Sequence, residues 1–240
     1  MDVTAGTLLG GRVRHDQPRD GHRTGIEPVL LAAAIPARAS DRVLEGGSGA
    51  GAALLCLAHR VPGIAGVGVE RDPALVEMAR ANAGACGAAG LAFVAGDLAE
   101  LLVDGVFDHA FANPPWHLAA ATASPDAGRD AAKRGAPGLF AVWVRALSRT
   151  LRHHGTLTLV VAAARLPDCL AALGAAGCGS PAVLPLWPKP GREAKLVLLR
   201  GVKGGRGACR VLPGLTLHEP GGGYTEAAAT VLRDGAALPF

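Results

Sequence analysis

The sequence predicts an α/β fold: a doubly wound, mostly parallel sheet closed by an antiparallel C-terminal hairpin. From Arg42 onward, short apolar runs alternate with stretches of helical periodicity, the order that yields a parallel sheet with helices on both faces. The last two apolar runs are separated only by a loop containing Pro188 and Pro190, which suits a hairpin. A length of 240 residues is enough for one domain with a substantial core, and half of the residues are apolar.

Each element has its own signal. "RVLE" (42–45) reads as the first strand and "AALLCLAHR" (52–60) as the helix after it, with "IAGVGVE" (64–70) the second strand. "PALVEMARANAGACG" (73–87) reads as a helix with Pro73 in its first turn, where the missing N–H costs nothing. "LAFVAGD" (91–97) and "FDHAFA" (107–112) supply two more strands. "GLFAVWVRALSRTLRHHG" (138–155) reads as one long helix running into the strand "TLTLVVA" (156–162). "LPDCLAALGAAG" (166–177) is a further helix, and "AVLPLW" (182–187) and "KLVLLRG" (195–201) form the hairpin. Residues 1–40 are expected as an N-terminal cap, 41–201 as the core and 202–240 as an extension of a single domain. The polar stretch 117–137 stands where a functional loop is expected, because long structureless connections usually serve a site.

Composition narrows the function classes. The net charge of +4 allows an anionic partner. Seven basic residues lie between Lys189 and Arg210 against the single acid Glu193, and Arg12, Arg14, Arg19 and Arg23 form a second cluster. The bland alternative for both is a solvated surface. The five cysteines are odd in number, scattered and without a C-x-x-C pair, which points away from a disulfide framework or a metal site and toward core filler in a reducing cytoplasm. No membrane span or signal-peptide pattern is seen.

The chemistry gathers at strand ends, where ligands bind in such sheets. "VLEGGSGAGAA" (43–53) runs from a strand through Gly47, Gly49 and Gly51 into a helix, allowing close backbone approach by a ligand. The same stretch fits a dinucleotide fingerprint, Gly47-x-Gly49-x-x-Ala52 with Glu70 downstream. Glu45 tilts the choice toward S-adenosylmethionine: a carboxylate beside the loop repels a pyrophosphate but attracts a sulfonium and an ammonium. Glu70 suits ribose hydroxyls and Asp97 the adenine amine, giving one acid at each of three strand ends.

Beyond the fourth strand stands "NPPW" (113–116). The Asn113 side-chain oxygen and the Pro114 carbonyl can each accept one N–H of a planar amine. Pro114 and Pro115 stiffen the turn, and Trp116 offers a stacking face. The bland alternative is a strand-ending turn with a buried tryptophan. His117 beside it is not required by the chemistry.

Taken in order, "VLEGGSGAG", "GVGVERD", "VAGDLAEL" and "FANPPW" resemble a class I S-adenosylmethionine-dependent methyltransferase, which implies a Rossmann-like sheet and that cofactor. Glu45 stands where many members carry aspartate. "GHRTGIEPVLLAAAIP" (21–36) is similar to the segment that closes over the methionine end in the amino-methylating branch, making Thr24 and Glu27 candidate cofactor contacts. The alternative for Thr24 is a helix cap. With "PLWPKPGREAKLVLLRGVKGG" and "LPGLTLHEPGGGYTEAA", the chain resembles the bacterial tRNA adenine-N6 methyltransferases over nearly all of 20–235. Trp116 stands where that family usually has tyrosine or phenylalanine. The resemblance implies a tRNA partner contacted by Lys189, Arg192 and the neighbouring basic cluster beside the C-terminal edge of the sheet, with Arg12 and Arg14 on the other flank. It leaves guanine N2 and a protein glutamine open as other planar amines, and implies neither a metal nor a membrane.

Overall fold

The computed structural model describes residues 2–19, 23–100, 106–114 and 138–240. The chain opens with an arm in which two-residue strands pair antiparallel, Val3–Thr4 with Gln17–Pro18 and Thr7–Leu8 with Val13–Arg14. Helix α1 (Glu27–Ala34) leads into β1 (Arg42–Gly46), α2 (Ala52–Arg60), β2 (Ala65–Glu70), α3 (Pro73–Ala85) and β3 (Leu91–Ala95). After β4 (Phe107–Ala112) come α4 (Leu139–Arg149), β5 (Leu151–Ala162), α5 (Leu166–Ala175), β6 (Cys178–Trp187) and β7 (Leu196–Lys203). The extension adds short strands at Arg210–Val211 and Leu215–Thr216, then α6 (Glu226–Asp234).

These strands build one sheet in the order β3-β2-β1-β4-β5-β7-β6, with the two short strands outside β6. All pairings are parallel except those of β7, which is antiparallel to both β5 and β6 in the expected hairpin. The apolar runs alternate between two cores: Val43, Phe111, Val160 and Leu198 pack with α1, α2, α3 and α6, while Leu44, Ala110, Val161 and Leu199 pack with α4 and α5. Burial on both faces is why these strands read as near-continuous apolar runs.

Local signals fix the helix starts. Asp72 caps α3 by accepting from the Ala74 N–H at 2.8 Å, with Pro73 following, and Thr225 caps α6 through the Ala228 N–H at 3.1 Å. Two expectations need correction. The helix expected over 138–155 ends at Arg149, and the chain is already in β5 at Leu151, paired with Phe107. A register shift between Phe107 and His109 absorbs the polar "RHH" segment, where His154 takes a left-handed φ of 64°. Among the cysteines, Cys56, Cys169 and Cys178 are buried as expected, and burial pushes the Cys56 and Cys169 thiols up to about 12. Cys209 is exposed, not core filler. Among the described residues no helix is long and apolar enough to cross a membrane, and no cluster of three or more His, Cys, Asp or Glu is placed to hold a metal.

Candidate active site

The order of the sheet places its switch point between β1 and β4. From there the chain winds outward to β2 and β3 on one side and to β5 on the other, leaving a crevice at the carboxyl ends. Register sets what meets there. Gly46 pairs with Val69 and with Ala112, and Glu70 pairs with Ala95, so the three expected acids end three neighbouring strands. Glu45 is only 4% exposed, and its Oε2 accepts from the Leu54 N–H of α2 at 3.1 Å. Burial pushes this carboxyl well above its ordinary range; the Leu54 bond opposes the shift, and the neighbouring Glu70 charge adds to it. Glu70 accepts from the Gly49 N–H at 2.9 Å and from the Asp72 N–H at 3.0 Å, one on each oxygen. Asp97 lies two residues beyond β3 and accepts from the Ala99 N–H at 2.9 Å.

The glycine loop between β1 and α2 is anchored by the Gly47 and Ser48 N–H groups, which both donate to the Val69 carbonyl. Gly47, Gly49 and Gly51 adopt left-handed φ values of 66°, 53° and 90°. Their surroundings differ. A Cβ on Gly47 would stand 2.7 Å from the Trp143 ring of α4, and one on Gly51 would stand 3.0 Å from Phe93. A Cβ on Gly49 would meet none of the described residues within 4 Å. Among the described residues Gly49 is therefore the loop glycine with open space over it, while its N–H is fixed by Glu70. Ser48 beside it is 5% exposed, and its hydroxyl has no partner among the described residues.

The N-terminal arm is linked to this loop through Asn82, which bonds both Asp16 and the Ala50 carbonyl. The Thr24 hydroxyl meets His15 Nε2 at 3.0 Å, so it does not cap α1, whose N-cap is Ile26 without a side-chain bond. Glu27 is the first residue of α1, and its carboxylate folds back over Gly25. Among the described residues, His15, 2% exposed, has no partner for Nδ1, and Asp16 Oδ1 is likewise buried without one. On the other side of the switch point, Asn113 follows Ala112 and is half-buried, and Pro114 is buried. Pro115 and Trp116 lie outside the described residues.

The family of methyltransferase small domains matches residues 26–167, more than half of the chain. The chain belongs to that family. Two curated relatives point the same way. A tRNA1(Val) (adenine(37)-N6)-methyltransferase of Actinobacillus succinogenes is 32% identical over 155 residues, 63% of this chain and 64% of the relative. A release factor glutamine methyltransferase of Bradyrhizobium diazoefficiens is 39% identical over 101 residues, 41% of this chain and 34% of the relative. The chain thus spans about a third and just under two thirds of these relatives' lengths. Among solved structures, a predicted O-methyltransferase from Agrobacterium tumefaciens shares the fold with a TM-score of 0.73 at 24% identity, covering 88% of this chain and 97% of that one.

S-adenosylmethionine is the methyl donor of this methyltransferase fold, and the described residues of the methyltransferase site fit it. Among the described residues, open space at Gly49, an unpaired Ser48 hydroxyl and the buried Glu45 carboxyl are complementary to a cationic ligand rich in hydroxyls. The dinucleotide reading of the same glycines falls with the family assignment.

The basic residues of this methyltransferase fold do not form one patch. Because β6 runs parallel to β1 and β4, the loop carrying Lys189, Arg192 and Lys195 leaves the sheet at the same edge as the site. The rest of the cluster, expected beside them, does not follow. Arg200 lies midway along β7, donating to Thr158 and the Ala34 carbonyl, with its guanidinium 4.0 Å from the centre of the Phe240 ring. Lys203 is held by Ser148 and the Ala176 carbonyl, and Arg206 adjoins Gly207, which is bonded to Ser180 at the opposite edge. Arg12 pairs with Asp234 and Arg14 with Asp16, both at 3.3 Å. Asn82, which bonds the Ala50 carbonyl, and Trp143, whose ring stands against Gly47, are neighbours of the glycine loop that sequence reasoning missed. Only Asn82 left a trace there, as an amide on the apolar side of a helix.

Proposed function

We propose that this methyltransferase acts on the exocyclic N6 amine of an adenosine in tRNA. The observation that carries the reading is the adjacency of Gly46 and Ala112: the residues after them are Gly47, which opens the cofactor loop, and Asn113, which opens the acceptor turn. That adjacency supports a slot for a planar amine beside the methyl donor. When bound, S-adenosylmethionine supplies a methyl group made electrophilic by its sulfonium. Glu45 would face the cationic end and Asp97 the adenine amine. Glu70 would bind the ribose hydroxyls, since a carboxylate has about four acceptor positions and each oxygen here has used one.

The target amine needs geometry more than a strong base, because its lone pair must leave conjugation and turn toward the methyl group. Asn113 Oδ1 and the Pro114 carbonyl would each take one N–H, drawing the nitrogen toward a tetrahedral shape. Trp116 would stack on the base, worth roughly 1–3 kcal/mol. The adenosine must be splayed out of its loop to reach this slot. Lys189, Arg192 and Lys195 would hold phosphates, fixing position without reading sequence.

The relative that acts on tRNA supports adenosine through the longer match. The relative that acts on a release factor favours a protein glutamine as the second reading, through a higher identity over fewer residues. Incubating the protein with labelled S-adenosylmethionine and total tRNA or release factors separates them. N6-methyladenosine in tRNA is expected; label in glutamine or in guanine moves the target, and binding without transfer to any of these ends the proposal.

A further inference from the structure

We propose that Asn82 is a positioning residue that holds the N-terminal arm against the cofactor loop and so governs how tightly the cofactor is retained; the inference rests on the methyl-transfer reading. Asn82 sits on α3 and is 2% exposed. Its Nδ2 donates to the Asp16 carbonyl at 2.9 Å and to the Ala50 carbonyl at 3.0 Å, while its Oδ1 accepts from the Asp16 N–H at 3.0 Å. Ala50 lies between Gly49, which faces open space, and Gly51, the N-cap of α2. One amide therefore joins three separate elements, with both donors and its acceptor in use. Cys86, four residues on and capping the C-terminal end of α3, donates to the Arg14 carbonyl at 3.3 Å.

Together Asn82 and Cys86 hold alternate residues of the arm, 14 and 16. Between them stands His15, whose Nε2 meets Thr24 and whose Nδ1 is buried without a partner among the described residues. The arm is therefore tied to the glycine loop through Asn82, and carries polar atoms on His15 and Asp16 that no described residue pairs. A ligand that orders the loop strengthens the hold on the arm, and an arm held in place slows the departure of the ligand.

The test compares Asn82→Ala and Asn82→Asp with the wild-type chain, reading the dissociation constant of S-adenosylmethionine, the split between its KM and kcat, and hydrogen exchange at the Asp16 amide. Both variants are expected to raise Kd and KM about tenfold or more, the loss of one or more hydrogen bonds, while kcat at saturating cofactor stays within about twofold. Asn82→Asp should do no better than alanine despite its shape, because it presents an acceptor to two carbonyls. Exchange at the Asp16 amide should quicken while the Val76 and Ala79 amides of α3 stay protected. Asp16→Pro removes the same N–H from the arm side without touching α3, and should reproduce the loss. Unchanged affinity and exchange in Asn82→Ala would overturn the proposal, as would exchange that quickens throughout α3. A wild-type chain that fails to bind S-adenosylmethionine sinks the methyl-transfer reading itself, and this role with it.

Discussion

Glu45 illustrates how a single residue carries both a cost and a purpose. Its carboxyl is buried and receives one backbone N–H, so the folded chain keeps it protonated at pH values where the unfolded chain has ionised it, above the ordinary 4.5. A raised folded value means that the stability from this group is whole below 4.5 and is lost as the pH climbs toward the folded value. Glu45→Gln keeps the shape and the acceptor for Leu54 but cannot ionise. The variant should melt higher than wild type at pH 8, with the gap closing toward pH 5, each kcal/mol being about 2–4 °C in a chain of this size. It should also bind S-adenosylmethionine about 10- to 100-fold more weakly, the range for losing a charge-assisted contact of roughly 1.5–3 kcal/mol. Thermal melts across pH and calorimetry check both halves; equal affinity in the variant would remove Glu45 from the cofactor site. The acid itself was legible from sequence as a carboxylate before glycines. Its burial, and hence its pH dependence, was not, because burial depends on α2 closing over β1.

At the scale of elements, the glycine loop shows three residues of one type in three environments. All three glycines need left-handed φ, so alanine at any of them costs roughly 1–2 kcal/mol. At Gly47 the added methyl also strikes Trp143, which should add about 1–3 kcal/mol of overpacking and lower the melting temperature most. At Gly49 it enters open space, so Gly49→Ala should fold with only the smaller loss yet bind the cofactor worst. Melting curves with and without S-adenosylmethionine separate the two; equal ligand-induced shifts in Gly49→Ala and wild type would show that nothing approaches Gly49. The loop, α2 and β4 were read from sequence with their observed bounds or within a residue, because turn glycines and apolar runs are local signals. The end of α4 was overrun by six residues, since Leu151 meets the demands of Phe107 across the sheet, a partner no local pattern displays.

For the whole molecule, topology redistributes charge that sequence groups together. Lys189, Arg192 and Lys195 share the active-site edge, whereas Arg206 belongs to the opposite one and Arg200 and Lys203 are tied to the core. Replacing Lys189, Arg192 or Lys195 by alanine should weaken tRNA binding and lower the slope of log affinity against log salt by about one each. Arg206→Ala should leave the slope unchanged, and a salt series of binding measurements decides; equal losses at both edges would mean diffuse attraction instead of a docking face. The sequence by itself determined the fold class, the succession of strands and helices along the chain, the antiparallel hairpin and the glycine turn after the first strand, because each is written in short-range periodicity or in residues whose conformations are special. Tertiary structure alone decided which loop glycine has open space over it among the described residues, which basic residues share an edge with the candidate site, and that Asn82 joins the arm to the loop, because each of these depends on segments far apart in the chain being brought to one place.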